Sequence, residues 1–277
     1  MKKTRPGWTS IVFLALMMAA TQSAASAQIS VLGSLASDRD VAPGEVYSGQ
    51  ITVRNDSPEP AQAKIYQTDY MFYHDGSNYF EEPGTSPRSN AGWVQFNPAV
   101  LTLAPGESGV VNYVVTVPTT VVDTVPIGSY WSMLMIEGIS KDSPESTLGK
   151  TDRTQFGIRQ VTRYAVQVAS HIRTNAKIDI DIAGVELTKE ALGQPILQLN
   201  FENSGNVLIV PETWIELYDT AGELARRIRG QQSRVYPGTS VAHRFELADT
   251  PEGAYDALVV VDGGNDNLFG AQYRITL

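Results

Sequence analysis

Hydrophobic and polar residues alternate with a period of two along most of the chain, and turn residues recur every 8–15 positions. Long stretches with the helical period are missing. Alternation of this kind is typical of strands with one buried face, and regularly spaced turns are typical of β-sandwiches. The pattern therefore predicts an all-β fold.

The clearest predicted strands of the first half are residues 46–55, 61–73, 110–117 and 128–136. Two turns, Ala42-Pro43-Gly44 and Ala104-Pro105-Gly106, each precede an alternating strand. In such turns Pro presets φ at the first corner and Gly relieves the second. Residues 81–92 contain several Pro and Gly and predict a long loop. Residues 158–172 alternate for longer than the usual strand of roughly 3–10 residues, and we expect them to close a first domain.

The chain of 277 residues is long enough for two domains, because single cores stop growing before this length. A weak internal repeat supports two copies of one fold. Each half has a Pro-Gly turn before an alternating strand, followed by a Gly-x-Tyr strand start at Gly128 or Gly253. We therefore predict two immunoglobulin-like β-sandwich domains in tandem, residues 28–173 and 174–277.

Residues 1–27 are predicted to be a signal peptide. Lys2, Lys3 and Arg5 form a basic start, residues 11–20 are apolar, and Ala25-Ser26-Ala27 fits an A-x-A cleavage site. The apolar run is shorter than the ~20 residues that span a bilayer, which disfavours a membrane anchor. We expect the protein in the periplasm, or secreted or at the cell surface. It contains no cysteine, which excludes disulfides and thiol catalysis.

The chain is acidic. Its formal charge is −9, and loss of the three basic residues of the signal peptide brings it to −12. A charge of this sign disfavours non-specific binding to nucleic acid or to anionic lipid. We therefore predict a protein partner, no nucleic acid and no integral membrane segment after removal of the signal peptide.

The sequence shows no catalytic constellation. His74, His171 and His243 lack the spacing of metal ligands, and we expect each on a turn or a strand surface. No serine lies in a G-x-S-x-G motif. Asp179 and Asp181 fit a solvated strand face better than a catalytic carboxylate pair. We predict that the protein is not an enzyme and holds no cofactor or metal. The oxygen-rich residues 262–267 are best explained as a hairpin turn, and calcium binding there remains the alternative.

Aromatic residues are dense in part of the first domain. Core packing explains most of them, but alternation cannot bury all, so some can form an exposed patch for peptide or glycan. The residues are Tyr66, Tyr70, Phe72, Tyr73, Tyr79, Phe80, Trp93 and Phe96.

Residues 41–172 resemble two related kinds of bacterial immunoglobulin-like domain. One is the first domain of PapD-like periplasmic pilus chaperones, and the other is the N-terminal domain of the WxL-interacting surface proteins of Gram-positive bacteria. The order of several short segments carries the resemblance. These are Val53-Arg54-Asn55, Trp93-Val94-Gln95-Phe96-Asn97-Pro98, Leu103-Ala104-Pro105-Gly106-Glu107-Ser108, Val115-Thr116-Val117-Pro118, Gly128-Ser129-Tyr130-Trp131 and the long predicted strand 158–172.

In pilus chaperones a long strand at the edge of the first domain pairs with a pilin subunit, and two basic residues between the domains hold the subunit's terminal carboxylate. The resemblance therefore implies partner binding by β-strand addition along residues 158–172, with Tyr164 and Val166 on that strand. The matching basic residues are Arg39 and either Arg159 or Arg163. Open strand edges are templates for other chains, and guanidinium groups suit carboxylates.

Two functions remain open at this point. The first is a non-catalytic exported protein that binds extended polypeptide of envelope or pilus subunits, in the manner of a chaperone. The second is a structural or adhesive cell-surface protein that binds peptidoglycan or another envelope component. Pilus chaperones carry Pro-x-Asp-Arg-Glu-Ser before the sixth strand, whereas this chain has Pro126-Ile127-Gly128-Ser129, a form similar to that of the surface proteins.

Overall fold

The computed structural model describes residues 29–140, 143–148, 161–189 and 193–277. The predicted signal peptide and Arg159 lie outside this part. The described residues form strands and a single turn of 3-10 helix, Ala91–Trp93, and include no α-helix. The predicted all-β class is therefore confirmed. No helix in the described ranges has the length and apolar character needed to cross a membrane.

Residues 29–172 contribute two facing sheets. A four-stranded antiparallel sheet has the order β1-β3-β8-β6, and a six-stranded sheet has the order β2-β10-β9-β4-β5, with β7 also paired to β4. The strands are β1 Ile29–Leu32, β2 Ala36–Asp40, β3 Val46–Asn55, β4 Ala61–Phe72, β5 Asn78–Glu81, β6 Val94–Asn97, β7 Val100–Leu103, β8 Ser108–Thr116, β9 Gly128–Ile139 and β10 Arg163–Ile172.

The alternation along the strands explains why these two sheets face each other. In β3, Tyr47, Ile51 and Val53 are buried, while the residues between them face outward. β9 is buried along most of its length because both of its faces are covered, and its apolar run reflects this. The inward residues of both sheets form one core that includes Val111.

Residues 180–276 form the second pair of sheets, with the orders β11-β12-β15 and β14-β13-β16-β17. The strands are β11 Ile180–Lys189, β12 Pro195–Asn203, β13 Glu212–Tyr218, β14 Leu224–Arg229, β15 Ser240–Glu246, β16 Ala254–Asp262 and β17 Leu268–Thr276. These sheets enclose a separate core that includes Phe201, Ile215 and Phe245. Two tandem immunoglobulin-like sandwiches, as predicted, are thus the observed fold.

The internal repeat corresponds to the same local structure in both halves. Asn55 ends β3 and Asn203 ends β12, and both are fully buried. The backbone N–H of Gly106 donates to the carbonyl of Asn55 at 2.9 Å, and that of Gly238 donates to the carbonyl of Asn203 at 2.8 Å. Each Asn side-chain amide also donates to a backbone carbonyl of a neighbouring segment, that of Leu103 for Asn55 and that of Val235 for Asn203. The Pro-Gly turns are therefore fixed onto the preceding strands by buried asparagines.

The first strand changes sheets within a few residues. β1 pairs antiparallel with β3, and β2 pairs parallel with β10. Gly33 between them has φ of 97°, which L-residues with a side chain rarely adopt. This glycine lets the chain cross from one sheet of the first sandwich to the other. Neither β1 nor β2 is predicted by the alternation of residues along the chain.

A third apolar cluster joins the two sandwiches. Trp131 and Ala169 of the first pack against Leu208 and Tyr236 of the second, and the rings of Trp131 and Tyr236 have centroids 4.5 Å apart. The N–H of Ser129 donates to the carbonyl of Asn206 at 2.8 Å. The sandwiches therefore share a packed interface. The predicted boundary near residues 173–175 lies in the connection between β10 and β11.

Candidate functional site

The predicted binding edge is β10, and another strand of the same chain covers much of this edge. β10 pairs with β9 along its whole length. On its other side, β2 pairs in parallel with residues 167–171. The expectation of an open border along residues 158–172 is therefore wrong for residues 167–171. The described strand begins at Arg163, and residues 158–160 lie outside the described part.

The remaining open part of β10 is residues 163–166. Because the N–H of Gln167 donates to the carbonyl of Leu35 at 2.8 Å and the carbonyl of His171 accepts from Val41 at 3.0 Å, odd-numbered residues point their backbone groups away from β9. Arg163 and Ala165 therefore present N–H and C=O groups at this edge. No strand in the described ranges pairs with them there.

The even-numbered residues of this segment face the core. Val166 is 2% exposed and Tyr164 is half-buried against the same cluster. Their backbone groups point toward β9, as the alternation above requires. Val166 therefore supports the edge from within and cannot contact a partner through its side chain, contrary to the role expected for it. The partly exposed Tyr164 can border a partner.

Arg163 is held at the surface by an acidic residue of β9. Its Nε lies 2.5 Å from Oε2 of Glu137, and the hydroxyl of Tyr66 donates to the same oxygen at 2.8 Å. Burial raises the pKa of Glu137, but the hydrogen bonds from Tyr66 and Arg163 outweigh burial and lower it. Glu137 is therefore a stable anion, and it neutralises the Arg163 guanidinium.

Arg39 and Arg163 are not brought together. Arg39 is paired in register with Ser170, seven residues along β10 from Arg163, which corresponds to about 23 Å at ~3.3 Å per residue. One carboxylate cannot contact both side chains. Arg39 is exposed, its guanidinium lies 5.5 Å from the ring centroid of Tyr47, and it has no salt bridge to any described acid. The expected pairing of Arg39 with Arg163 is thus corrected, and Arg159 lies outside the described residues.

Asp38 of β2 is the polar centre of the junction between the sandwiches. Its carboxylate forms a salt bridge with Arg234 of the second sandwich and accepts a longer bond from the Tyr236 hydroxyl at 3.4 Å. Nε2 of His171 lies 3.1 Å from the same oxygen. Burial raises the pKa of Asp38, but the hydrogen bonds from His171 and Arg234 outweigh it and lower the pKa to about 2. We call Asp38, His171, Arg234 and Tyr236 the Asp38 junction.

The Asp38 junction continues to a buried serine. The Ser129 hydroxyl oxygen lies 2.8 Å from Nδ1 of His171 and accepts the N–H of Leu208 at 2.7 Å. The hydroxyl hydrogen is therefore free to bond to Nδ1, which leaves Nε2 to donate to Asp38. A Ser-His-Asp order of this kind occurs in hydrolases. Here Ser129 is fully buried and its oxygen already accepts a backbone N–H, so a substrate carbonyl has no access.

Two of the three histidines differ from the expectation of surface positions. His171 is 2% exposed and His243 is fully buried, with hydroxyls of Thr213 and Ser233 at its two nitrogens. Only His74 lies on a turn, between β4 and β5. Alternation would have placed His171 on a solvent face, but the second sandwich covers that face. The sequence contains no signal for this cover.

The aromatic residues that the sequence grouped into one patch lie in different places in the fold, some exposed and some beside the core. Tyr79 and Phe80 of β5 are about half exposed, at 51% and 50%. Phe80 packs on Tyr70 with ring centroids 4.7 Å apart. Trp93 instead packs on Tyr130 beside the core. The exposed aromatic surface is therefore smaller than the sequence density suggested, and it lies at the sheet edge opposite β10.

The described residues contain no group of three or more His, Asp or Glu side chains placed to hold a metal ion. In the 262–267 hairpin loop, the Asp262 carboxylate accepts the N–H of Gly264 at 2.9 Å. Asn267 donates its side-chain amide to two loop carbonyls. These side chains stabilise the turn, as the preferred hairpin interpretation requires.

No family model matches the chain, and a search of curated proteins finds no match. Solved structures of similar fold include the class 5 fimbriae chaperone CfaA, at 15% identity and a TM-score of 0.43 over 89% of this chain and 98% of that one. The Escherichia coli chaperone DraB matches at 15% identity and 0.41, over 88% and 98%. A chain of the Salmonella enterica SafA pilin–SafB chaperone complex matches at 10% and 0.41, over 91% and 97%. These likenesses concern the fold alone.

Proposed function

We propose that this chain binds an extended segment of another polypeptide by β-strand addition at residues 163–166. The observation that carries the proposal is the outward backbone of Arg163 and Ala165, which the described part of the chain does not pair. Unpaired backbone groups on a strand edge are the template that β-strand addition uses. In this function the protein acts by recognition of another chain.

The surroundings of the free edge favour an apolar partner segment. An added strand would lie in line with β2 and end near Leu35, whose side chain is 46% exposed. Val161 is 48% exposed just before β10, and Tyr164 is partly exposed. Backbone hydrogen bonds contribute only about 1 kcal/mol each. Apolar contacts with these side chains would therefore supply much of the affinity.

Within this function, we propose an envelope or pilus subunit as partner and the periplasm as location. The sequence resemblance to pilus chaperones and the predicted signal peptide support this choice. Arg39 is a further candidate contact for such a subunit, because it is an exposed cation on the strand that covers the rest of β10. Its contact would be separate from that of Arg163.

The test replaces Ala165 with proline. Ala165→Pro removes the outward N–H and leaves the ladder with β9 intact, because the backbone groups of Ala165 point away from β9. Ala165→Val is the matched control, since it keeps the N–H and suits a strand. With a purified candidate pilin or envelope subunit, we expect at least tenfold weaker binding for Ala165→Pro and near-normal binding for Ala165→Val.

Equal binding by Ala165→Pro and the parent protein would refute strand addition at this edge. Arg163→Glu tests the cation separately, because it removes the positive charge and places an acid beside Glu137. Sedimentation with purified cell wall distinguishes polypeptide binding from the structural or adhesive alternative. A chain that sediments with wall but captures no subunit would support the alternative.

A further inference from the structure

The second sandwich carries a polar cleft that the proposed function does not use. It has a volume of about 450 Å³ and lies on the outer face of the four-stranded sheet β14-β13-β16-β17. The lining side chains that matter here are Trp214, Arg227, Arg229, Glu212, Asp262 and Gln232. The volume is within the range of roughly 300–1,000 Å³ of small-molecule sites.

Strand alternation and register build this cleft. In β13, Thr213, Ile215 and Leu217 are buried, so Trp214 points to the outer face. Arg229 is paired in register with Trp214, and Glu212 is paired with Asp262. The cleft therefore has guanidinium groups on its β14 side, an indole in the middle and carboxylates at the ends of β13 and β16.

Arg227 fixes the position of the indole. Its guanidinium lies 4.6 Å from the ring centroid of Trp214, and its Nε lies 3.5 Å from Oε1 of Glu216. A guanidinium held on an aromatic face by a neighbouring carboxylate has little freedom to move. Trp214 is therefore a rigid element of the cleft wall.

Several polar groups of the cleft lack an ion-pair or hydrogen-bond partner among the described residues, apart from the bond that the Asp262 carboxylate accepts from the N–H of Gly264. The indole N–H of Trp214 is buried without an acceptor, although a buried tryptophan usually finds one. Glu212 and Asp262 stand opposite each other on neighbouring strands, and like charges in this position destabilise a sheet. Neither forms a salt bridge with a described cation, and the same holds for Arg229 with the described acids. The buried indole N–H is out of reach of a ligand, but the charged groups of Glu212, Asp262 and Arg229 line the cleft, where the hydroxyls of a polar ligand could bond to them.

The balance of charges indicates the class of ligand. Glu216 already neutralises Arg227, which leaves the Arg229 guanidinium beside the two carboxylates, and the described residues include no group of three or more ligating side chains that could hold a metal ion. One aromatic side chain offers a single apolar surface, which is too little for the alternating side-chain pockets of a bound peptide. A neutral sugar fits these groups, because its hydroxyls both donate and accept hydrogen bonds and its C–H groups can pack beside the indole and the Arg227 guanidinium that covers it. We propose that this cleft binds a neutral carbohydrate, independently of strand addition at β10.

Indole resonances provide a site-specific test. After residue 28 the chain contains three tryptophans, Trp93, Trp131 and Trp214, and hence three indole N–H signals in a ¹⁵N correlation spectrum. The Trp131 indole donates to the carbonyl of Tyr70 at 3.0 Å and should not respond. Trp214→Phe removes one of the three signals and thereby assigns the Trp214 resonance. Titration with the tetramer of N-acetylglucosamine, maltotetraose and cellotetraose should shift the Trp214 signal saturably for at least one sugar, with Kd of about 1 mM or tighter.

Two conservative variants link the shift to the cleft. Arg229→Gln and Glu212→Gln should each weaken sugar binding at least fivefold, since each removes a charged partner for hydroxyls. Asp256→Asn is the matched control, because Asp256 lies on the same sheet face in a salt bridge with Arg274 outside the cleft. The proposal is overturned if none of the three sugars shifts Trp214. It is also overturned if neither cleft variant weakens the binding, or if Asp256→Asn weakens it as much as they do.

Discussion

Replacing Asp38 with asparagine should loosen the contact between the two sandwiches. The Asp38 carboxylate joins β2 to Arg234 of the second sandwich and to His171 of β10. Asparagine has nearly the same shape but no charge. The change therefore removes the electrostatic part of the Asp38 junction and leaves Arg234 without its anion.

The lowered pKa of Asp38 sets the size of the effect. The pKa falls from 3.8 to about 2, and each pKa unit corresponds to about 1.4 kcal/mol of preference for the charged form. The shift therefore limits the contribution of the ionised Asp38 carboxylate to the free energy of unfolding to ~2.5 kcal/mol. Because the Asp38 side chain is 32% exposed, solvent screening reduces the expected loss for Asp38→Asn to about 1–2 kcal/mol at pH 7.

The direction of the pH dependence follows from the same shift. A carboxyl whose folded pKa is lowered stabilises the protein fully above its unfolded pKa, here 3.8. That contribution is lost as the pH falls from 3.8 toward 2. The difference in unfolding free energy between the parent protein and Asp38→Asn should therefore be constant from pH 7 to about 5 and narrow below 3.8.

Urea unfolding at several pH values, followed by tryptophan fluorescence, measures this difference. Asp40→Asn is the matched control on the same strand, because Asp40 is 67% exposed and pairs only with the exposed Arg173 among the described residues. We expect it to change stability by less than about 0.5 kcal/mol. An Asp38→Asn protein as stable as Asp40→Asn at pH 7 would show that the Asp38 junction contributes nothing.

Two further predictions concern buried positions. Burial lowers the pKa of His243 from 6.5 to about 4, so the folded state favours the neutral imidazole. The free energy of unfolding should therefore fall as the pH falls from 6.5 to 4. Urea unfolding should show a loss of up to about 3 kcal/mol over this range in the parent protein and no such loss in His243→Gln. If both proteins lose stability equally over this range, the assignment to His243 is wrong. Gly128→Ala should destabilise by at least about 2 kcal/mol, because φ is 92° and the new Cβ would lie 1.7 Å from the carbonyl oxygen of Asn206. Gly84→Ala is the control, because Gly84 has a similar φ of 89° but open space around the new Cβ, so this variant measures the cost of backbone strain alone. Equal losses of unfolding free energy in the two variants would show that the clash with Asn206 contributes nothing.

Local patterns predicted much of the fold. The predicted strand 46–55 matches β3, and the predicted strand 61–73 matches β4 to within one residue. The Pro-Gly turns were identified because their chemistry is local. β5 was missed, since its residues Asn78–Glu81 are all exposed and carry no alternation in burial. A strand of that kind is defined by its partner β4, which sequence alternation does not reveal.

The candidate site was less predictable because it depends on contacts between distant segments. β2 covers the edge of β10 although more than a hundred positions separate them in sequence, and its residues Ala-Ser-Asp-Arg-Asp show no apolar alternation. The burial of His171 involves Tyr236 of the other sandwich, whose ring centroid lies 6.4 Å from that of His171. No period or motif in the sequence encodes a pairing of this kind.

The strand β2 connects the two properties on which the proposed function depends. One edge of β2 covers residues 167–171 of β10 and so limits the free edge to residues 163–166. One face of the same strand holds Asp38 against Arg234 of the second sandwich. Because a five-residue parallel strand has few hydrogen bonds of its own, the Asp38 contacts help to keep it in place. The length of edge that a partner can reach is therefore set by the junction between the sandwiches as well as by the first sandwich itself.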